Sequence, residues 1–178
     1  MALFKVEGGY RLKGEIVPQG AKNEALQIIC ATLLTSERVV LHNVPIIADV
    51  MQLLDLLSAM GVRVERLGED SFAITAAEVN LDYLRSADYH KRCRRLRGSV
   101  MMIGPLLARY GVGFMPKPGG DKIGRRRLDT HFLGFQKLGA TFNFDLSDEF
   151  YTVEAERLKG TYMLLDEASV TGTANIVM

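Results

Sequence analysis

Apolar residues at Leu26, Ile29, Cys30, Leu33 and Leu34 fall at the i, i+3, i+4, i+7, i+8 spacing of one helical face. That spacing predicts a helix from about Ala21 to Leu34. Ahead of it, alternation through Leu12, Gly14 and Ile16 predicts a strand; behind it, Val39-Val40-Leu41 predicts another, before the break at Asn43-Val44-Pro45. Asp49 is placed as the N-cap of a second helix carrying Leu53, Leu56, Leu57 and Met60, and Gly61 is placed to end it in the left-handed conformation. Val62-Arg63-Val64 and Phe72-Ala73-Ile74, separated by Gly68-Glu69-Asp70, predict a β-hairpin.

The pattern then repeats. Leu33-Leu34 and Pro45 return as Leu106-Leu107 and Pro118, an offset of 73 residues, and Gly61 and Phe72 return as Gly139 and Phe150, an offset of 78. Between these anchors the second copy predicts a helix near Arg97 to Arg109, a strand at Val112 to Met115, a helix from Asp129 to Leu138 and a hairpin from Thr141 to Val153. The unit reads βαβαββ, so the fold class is α/β (α+β) with a duplicated unit. The change of offset places five extra residues after Pro118, within Gly119 to Arg127. A scaffold repeat does not need them, and loops inserted on one face of a repeat are often functional. A third copy begins with strand-like Tyr162 to Leu165, followed by an apolar helix after Ser169. The chain stops inside that helix, which reads as a segment of a longer protein rather than as a closing helix.

Composition narrows the class. The 178 residues are 48% hydrophobic and 24% charged, enough for one sizeable core. With 22 Lys and Arg against 21 Asp and Glu, the net charge of +1 gives no global reason to expect a nucleic acid or membrane partner. Cys30 and Cys93 lack metal-type spacing and fit reduced thiols, so a cytoplasmic location is expected. No signal-peptide pattern opens the chain, and no apolar stretch approaches the roughly 20 residues of a membrane span. Electrostatic function has to come from local clustering.

Three predicted helices start with residues suited to anions: Gly20-Ala21-Lys22-Asn23, Leu96-Arg97-Gly98-Ser99 and Ser169-Val170-Thr171. Helix N-termini carry free N–H groups and a positive dipole end, so equivalent ends of three repeats can converge on a phosphorylated ligand. Taken singly, Asn23, Ser99 and Ser169 also read as caps, and Lys22 and Arg97 as solvated side chains. Basic residues in a first turn are electrostatically unfavourable, however, and two repeats have them at matched places. The inserted loop gathers Lys122, Arg125, Arg126 and Arg127 around Asp121, a set suited to phosphate and equally to a solvated surface. The run from Lys91 to Arg97 has no interleaved aromatics, and with the balanced overall charge most of it reads as a solvated face. His42 and His90 fit solvated or capping roles, and His131 reads either as a helix-surface histidine or as part of a site. Met101-Met102 supplies a core position. No metal-ligand spacing, G-x-S-x-G or P-loop occurs.

Taken together, Gly20-Ala21-Lys22-Asn23, Leu96-Arg97-Gly98-Ser99, the run from Pro118-Gly119-Gly120-Asp121 to Asp129-Thr130-His131, and Ser169-Val170-Thr171 resemble the enolpyruvyl transferase family of the UDP-N-acetylglucosamine 1-carboxyvinyltransferase type. The resemblance runs in order over the whole chain. It implies six βαβαββ units in two domains forming an inside-out α/β barrel, of which two units and the start of a third are present. Residues 1–21 would belong to the second domain and 22–178 to an incomplete first domain. The implied reaction moves the enolpyruvyl group of phosphoenolpyruvate to the 3-hydroxyl of UDP-N-acetylglucosamine, the first committed step of peptidoglycan synthesis, without metal or organic cofactor. By the same resemblance, Lys22 contacts the phosphoenolpyruvate phosphate, Asn23 the sugar nucleotide, and Arg97 lies near the phosphates. Arg126 clamps phosphoenolpyruvate, Asp121 stands where most members have a proton-transferring cysteine, and Met101 replaces a common tryptophan. Asp129, His131, Ser169, Val170 and Thr171 fall where the family holds the uridine diphosphate portion. The remaining part of the same enzyme is the implied partner. A shikimate 3-phosphate transferase and a non-catalytic anion-binding fragment are the alternatives.

Overall fold

Two three-stranded sheets of the same topology carry the duplication seen in the sequence. The computed structural model describes residues 3–116, 127–145 and 150–178. In the first unit, α1 (Lys22–Ala31) tightens into a 3-10 turn (Thr32–Leu34) and is followed by β1 (Arg38–Leu41), α2 (Ala48–Ala59), β2 (Arg63–Arg66) and β3 (Phe72–Thr75). A 3-10 turn (Asp82–Arg85) and α3 (Ala87–Cys93) lead to the second unit. There a 3-10 segment (Arg97–Met102) runs into α4 (Ile103–Tyr110), followed by β4 (Val112–Pro116), α5 (Asp129–Lys137), β5 (Thr141–Asp145) and β6 (Phe150–Glu154). The last helix, α6, spans Val170–Val177. In each sheet the third strand is central and antiparallel to both neighbours, in the orders β1-β3-β2 and β4-β6-β5.

The hydrophobic periodicity points inward where it should. Leu26, Ile29, Cys30 and Leu33 of the first helical face are buried, with Leu53 and Leu57 of α2, Met60 at its C-cap and Ile74 of β3 in the same core. Leu34 departs from that face and is 39% exposed, because the 3-10 turn rotates it away from the α-helical stripe. Met101 and Met102 are both buried.

Both second helices of the units end in the same way. Met60 N–H donates to Leu56 and Leu57 O, Gly61 N–H to Ser58 O, and Val62 N–H to Leu57 O, over 3.0–3.1 Å. Leu138, Gly139 and Ala140 donate to Gly134, Phe135 and Gln136 in the same pattern at the 78-residue offset. Gly61 and Gly139 have φ of +91° and +98°, the left-handed C′ position of a Schellman ending.

Three expectations need correction. The alternation at Leu12–Ile16 forms no strand: residues 3–20 have no regular element, and Leu12 and Ile16 are 93% and 91% exposed. Tyr162–Leu165 likewise forms none. Alternation specifies two faces, but a strand also needs a neighbour for its ladder, and no described residue pairs with either segment. Each observed unit therefore runs helix–strand–helix–strand–strand, and the second is preceded by α3 rather than by a strand. Asp49 does not cap α2. Ile47 holds the N-cap position without a side-chain bond, and Asp49 sits in the first turn, where its carboxylate meets the dipole and Lys22.

Helix α6 belongs to this core. It packs on α4 and α5. A β-carbon on Gly104 of α4 would lie 2.2 Å from the Asn175 carbonyl oxygen, and one on Gly134 of α5 would lie 2.2 Å from Ile176 Cδ1. Glycine at both places lets α6 come that close. A cross-unit tie comes from Arg109 of α4. Its guanidinium donates to the carbonyls of Leu33 (3.0 Å) and Thr35 (3.2 Å) at the end of the first helix, and to Ala76 (2.6 Å) and Ala77 (3.4 Å) beyond β3. A cation at a helix C-terminus satisfies carbonyls that lack a helical partner.

Candidate functional site

The first turns of three helical segments meet at one cleft of about 520 Å³. Lys22 and Asn23 enter it from α1, Arg97 and Gly98 from the 97–102 segment, and Ser169 and Thr171 from the start of α6. Arg127 and His131, on either side of the start of α5, complete that wall. The convergence of equivalent ends that the sequence suggested is therefore present.

Lys22, Arg127 and Arg97 each have a defined setting. Lys22 Nζ lies 3.0 Å from Asp49 Oδ2, a half-exposed pair that offsets the unfavourable placing of a cation in a first helical turn. Arg127 Nε donates to both carboxylate oxygens of Asp129 at 3.0 Å, its Nη2 reaches Asp166, and Glu167 Oε2 is 3.9 Å away. These contacts raise the Arg127 pKa, and the guanidinium holds the Asp129 carboxyl below its usual range. Arg97 Nη2 donates to the Arg127 carbonyl at 3.2 Å, joining two of the converging segments. Ser169 caps α6, its Oγ accepting from Gly172 N–H at 3.0 Å.

His131 is the largest departure from a surface reading. It is 3% exposed, and its pKa is lowered to about 4, first by burial and then by the charge of Arg97. Its Nδ1 lies 3.0 Å from Nδ2 of Asn175, a residue with no exposed surface. His90 is no solvated cap either: its ring stacks on Phe150 at 4.8 Å.

Of the other expected site residues, Asp129 is paired with Arg127 and does not line the cleft, and Val170 is 74% exposed and also off it. Asp121 and Arg126 lie outside the described residues. Sequence reasoning missed Arg95 and Asn175. Arg95, assigned there to a solvated face, lines the cleft. Asn175 anchors His131, and only its place in an apolar helix marked it as unusual. Among the described residues, no group of three His, Cys, Asp or Glu is placed to hold a metal ion, and no helix is long and apolar enough to cross a membrane.

Compared with known families, residues 6–178 match the model for EPSP synthase (3-phosphoshikimate 1-carboxyvinyltransferase). The chain belongs to this family. Among individual relatives, it is 62% identical to UDP-N-acetylglucosamine 1-carboxyvinyltransferase of Bacteroides fragilis, over all of this chain and 41% of that protein. The enzymes of the same name from Porphyromonas gingivalis and Bradyrhizobium diazoefficiens are 59% and 45% identical, over 41% and 39% of their lengths. The chain thus spans about two-fifths of these relatives. Among solved structures, the enolpyruvyl transferase NikO from Streptomyces tendae superposes with a TM-score of 0.67 at 22% identity, covering 85% of this chain and 32% of that one. EPSP synthase from Acinetobacter baumannii gives 0.64 at 15% identity, covering 92% and 37%. The α/β fold is that of the enolpyruvyl transferases.

Proposed function

We propose that the whole protein transfers the enolpyruvyl group of phosphoenolpyruvate to the 3-hydroxyl of UDP-N-acetylglucosamine, the first committed step of peptidoglycan synthesis, in the cytoplasm. The observation that carries this reading is the convergence of three helix starts, with Lys22, Arg97 and Arg127, on one cleft. Both substrates bring phosphate charge, and such charge is stabilised by free N–H groups at helix ends and by Lys and Arg side chains. Lys22 meets the phosphoenolpyruvate phosphate and Asn23 the sugar nucleotide. Arg97 lies at the phosphates, and His131, Ser169 and Thr171 hold the uridine diphosphate portion, with Asp129 and Val170 supporting that wall. Asp121 and Arg126 act from the inserted loop, Asp121 as proton donor and Arg126 as a clamp. The hydroxyl adds to phosphoenolpyruvate, and phosphate leaves from the tetrahedral adduct.

Residues 1–21 belong to a second domain supplied by the rest of the enzyme. The exposed apolar side chains of Leu3, Phe4, Val6, Leu12 and Ile16 support this, since a run of this kind is ordinarily covered. The barrel as a whole is likewise a property of the complete protein. This chain by itself turns over no substrate, because a site with one wall cannot orient both reactants or exclude water.

Calorimetric titration of the chain with UDP-N-acetylglucosamine, beside shikimate 3-phosphate and an unrelated nucleotide, tests the reading. Saturable binding of the sugar nucleotide alone is expected, weakened about tenfold to a hundredfold by Arg97→Ala through loss of a charge-assisted contact. Preference for shikimate 3-phosphate would transfer the assignment to that substrate, and indifferent binding of all three would leave only an anion-binding fragment.

A further inference from the structure

The carboxamide of Asn175 is fully used. Its Oδ1 accepts from Gly104 N–H at 2.8 Å, and its Nδ2 donates to the Val100 carbonyl at 2.9 Å. Both partners are backbone groups of fixed polarity, so the amide cannot be turned over without placing donor against donor and acceptor against acceptor. The second Nδ2 proton therefore points at His131 Nδ1, 3.0 Å away, and that nitrogen has to accept. A neutral imidazole that accepts at Nδ1 carries its proton on Nε2.

We propose that Asn175 is a positioning residue that locks His131 in the Nε2–H tautomer, so that the cleft presents an uncharged hydrogen-bond donor to an acceptor oxygen of its ligand. The ring lines the cleft while being almost wholly buried, and no described residue is hydrogen-bonded to Nε2. Arg97 stands near enough to oppose a second positive charge on the ring. The division of labour follows: Arg97 supplies charge, and His131 supplies a directed donor that stays neutral beside it. An anionic oxygen, such as one of a phosphate group, suits both. Gly104 is part of the device, because a side chain there would collide with Asn175. The ligand part of this inference rests on the sugar-nucleotide reading above; the tautomer does not.

The chain has three histidines, so long-range proton–nitrogen NMR of the histidine-labelled chain can assign His131 by its disappearance in His131→Gln. The expected wild-type pattern has the proton on Nε2 and a bare Nδ1 near neutral pH. Asn175→Asp, which places a carboxylate oxygen opposite Nδ1, should put a proton on Nδ1. A wild-type ring protonated at Nδ1, or an unchanged pattern in a folded Asn175→Asp chain, would overturn the proposal. A second pair of variants does not depend on that substitution folding. Gln can offer an N–H near the Nε2 position whereas Asn cannot reach it, so His131→Gln should keep affinity for UDP-N-acetylglucosamine within about threefold and His131→Asn should lose about tenfold. Equal losses in the two would count against the donor role. If the wild-type chain binds no sugar nucleotide while the NMR pattern is as expected, the substrate reading fails and the tautomer stands.

Discussion

A β-carbon on Gly104 would lie 2.2 Å from the backbone oxygen of Asn175 and 2.6 Å from its side-chain oxygen. Neither oxygen can move aside without shifting α6 or breaking the Gly104 N–H bond to Oδ1. Gly104→Ala should therefore destabilise the chain by about 1–3 kcal/mol, even though alanine favours a helix by roughly 1 kcal/mol. Urea denaturation measures the loss, and a wild-type midpoint would show that α6 does not sit this close.

Arg109→Met keeps much of the aliphatic stem but removes every N–H that the guanidinium gives to the carbonyls of Leu33, Thr35, Ala76 and Ala77. A loss of about 2 kcal/mol is expected, within the range for hydrogen bonds to a charged group. Arg109→Lys should recover only part of it, because one ammonium cannot reproduce a planar fork. Full recovery by lysine would mean that charge at the helix end, and not the fork, is what matters.

Because Gly61 and Gly139 occupy the same left-handed position in matched helix endings, Gly61→Ala and Gly139→Ala should each cost about 1–2 kcal/mol. The two effects should add to within about 0.5 kcal/mol in the double variant, as the sites share no partner. Thermal melts of the three variants test this; a much smaller cost at one site would show that the two endings are not equivalent.

Stability should fall on mild acidification through His131. Its pKa is about 4 when folded, against about 6.5 for a free histidine. Between those values the unfolded chain binds more protons, so the stabilising contribution is complete above pH 6.5 and is lost as the pH falls through 4. The difference is on the order of 3 kcal/mol. Denaturation of His131→Gln beside wild type at pH 7, 5.5 and 4.5 isolates it from the carboxylates: the wild type should lose more stability than the variant, and parallel losses would refute the buried neutral ring.

Helical periodicity made α1 and α2 legible, because each has a buried face at a regular spacing, and the repeat carried the reading over to α5, with Gly61 and Gly139 at the ends of the two copied helices. The repeat offset was legible because the helix endings are copied bond for bond. Strand alternation misled at Leu12–Ile16 and Tyr162–Leu165, since it carries no information about whether a neighbouring strand is there. The site was legible as a set of helix starts rich in Lys, Arg, Asn and Ser. What could not be read is the burial of His131 and the role of Asn175: both depend on α6 docking against residues 44 to 75 positions earlier, and no local pattern encodes that distance.

Those same separations bear on synthesis. A chain leaves the ribosome from its N-terminus, and Asn175 must meet Val100, Gly104 and His131 after all three have emerged. Both sheets and the Arg109 tie can form before Asn175 appears, since their residues all precede it. Of the described cleft residues, His131 is consequently the one whose anchor emerges last, and until Asn175 appears its imidazole has no fixed partner in a scaffold that can already be formed.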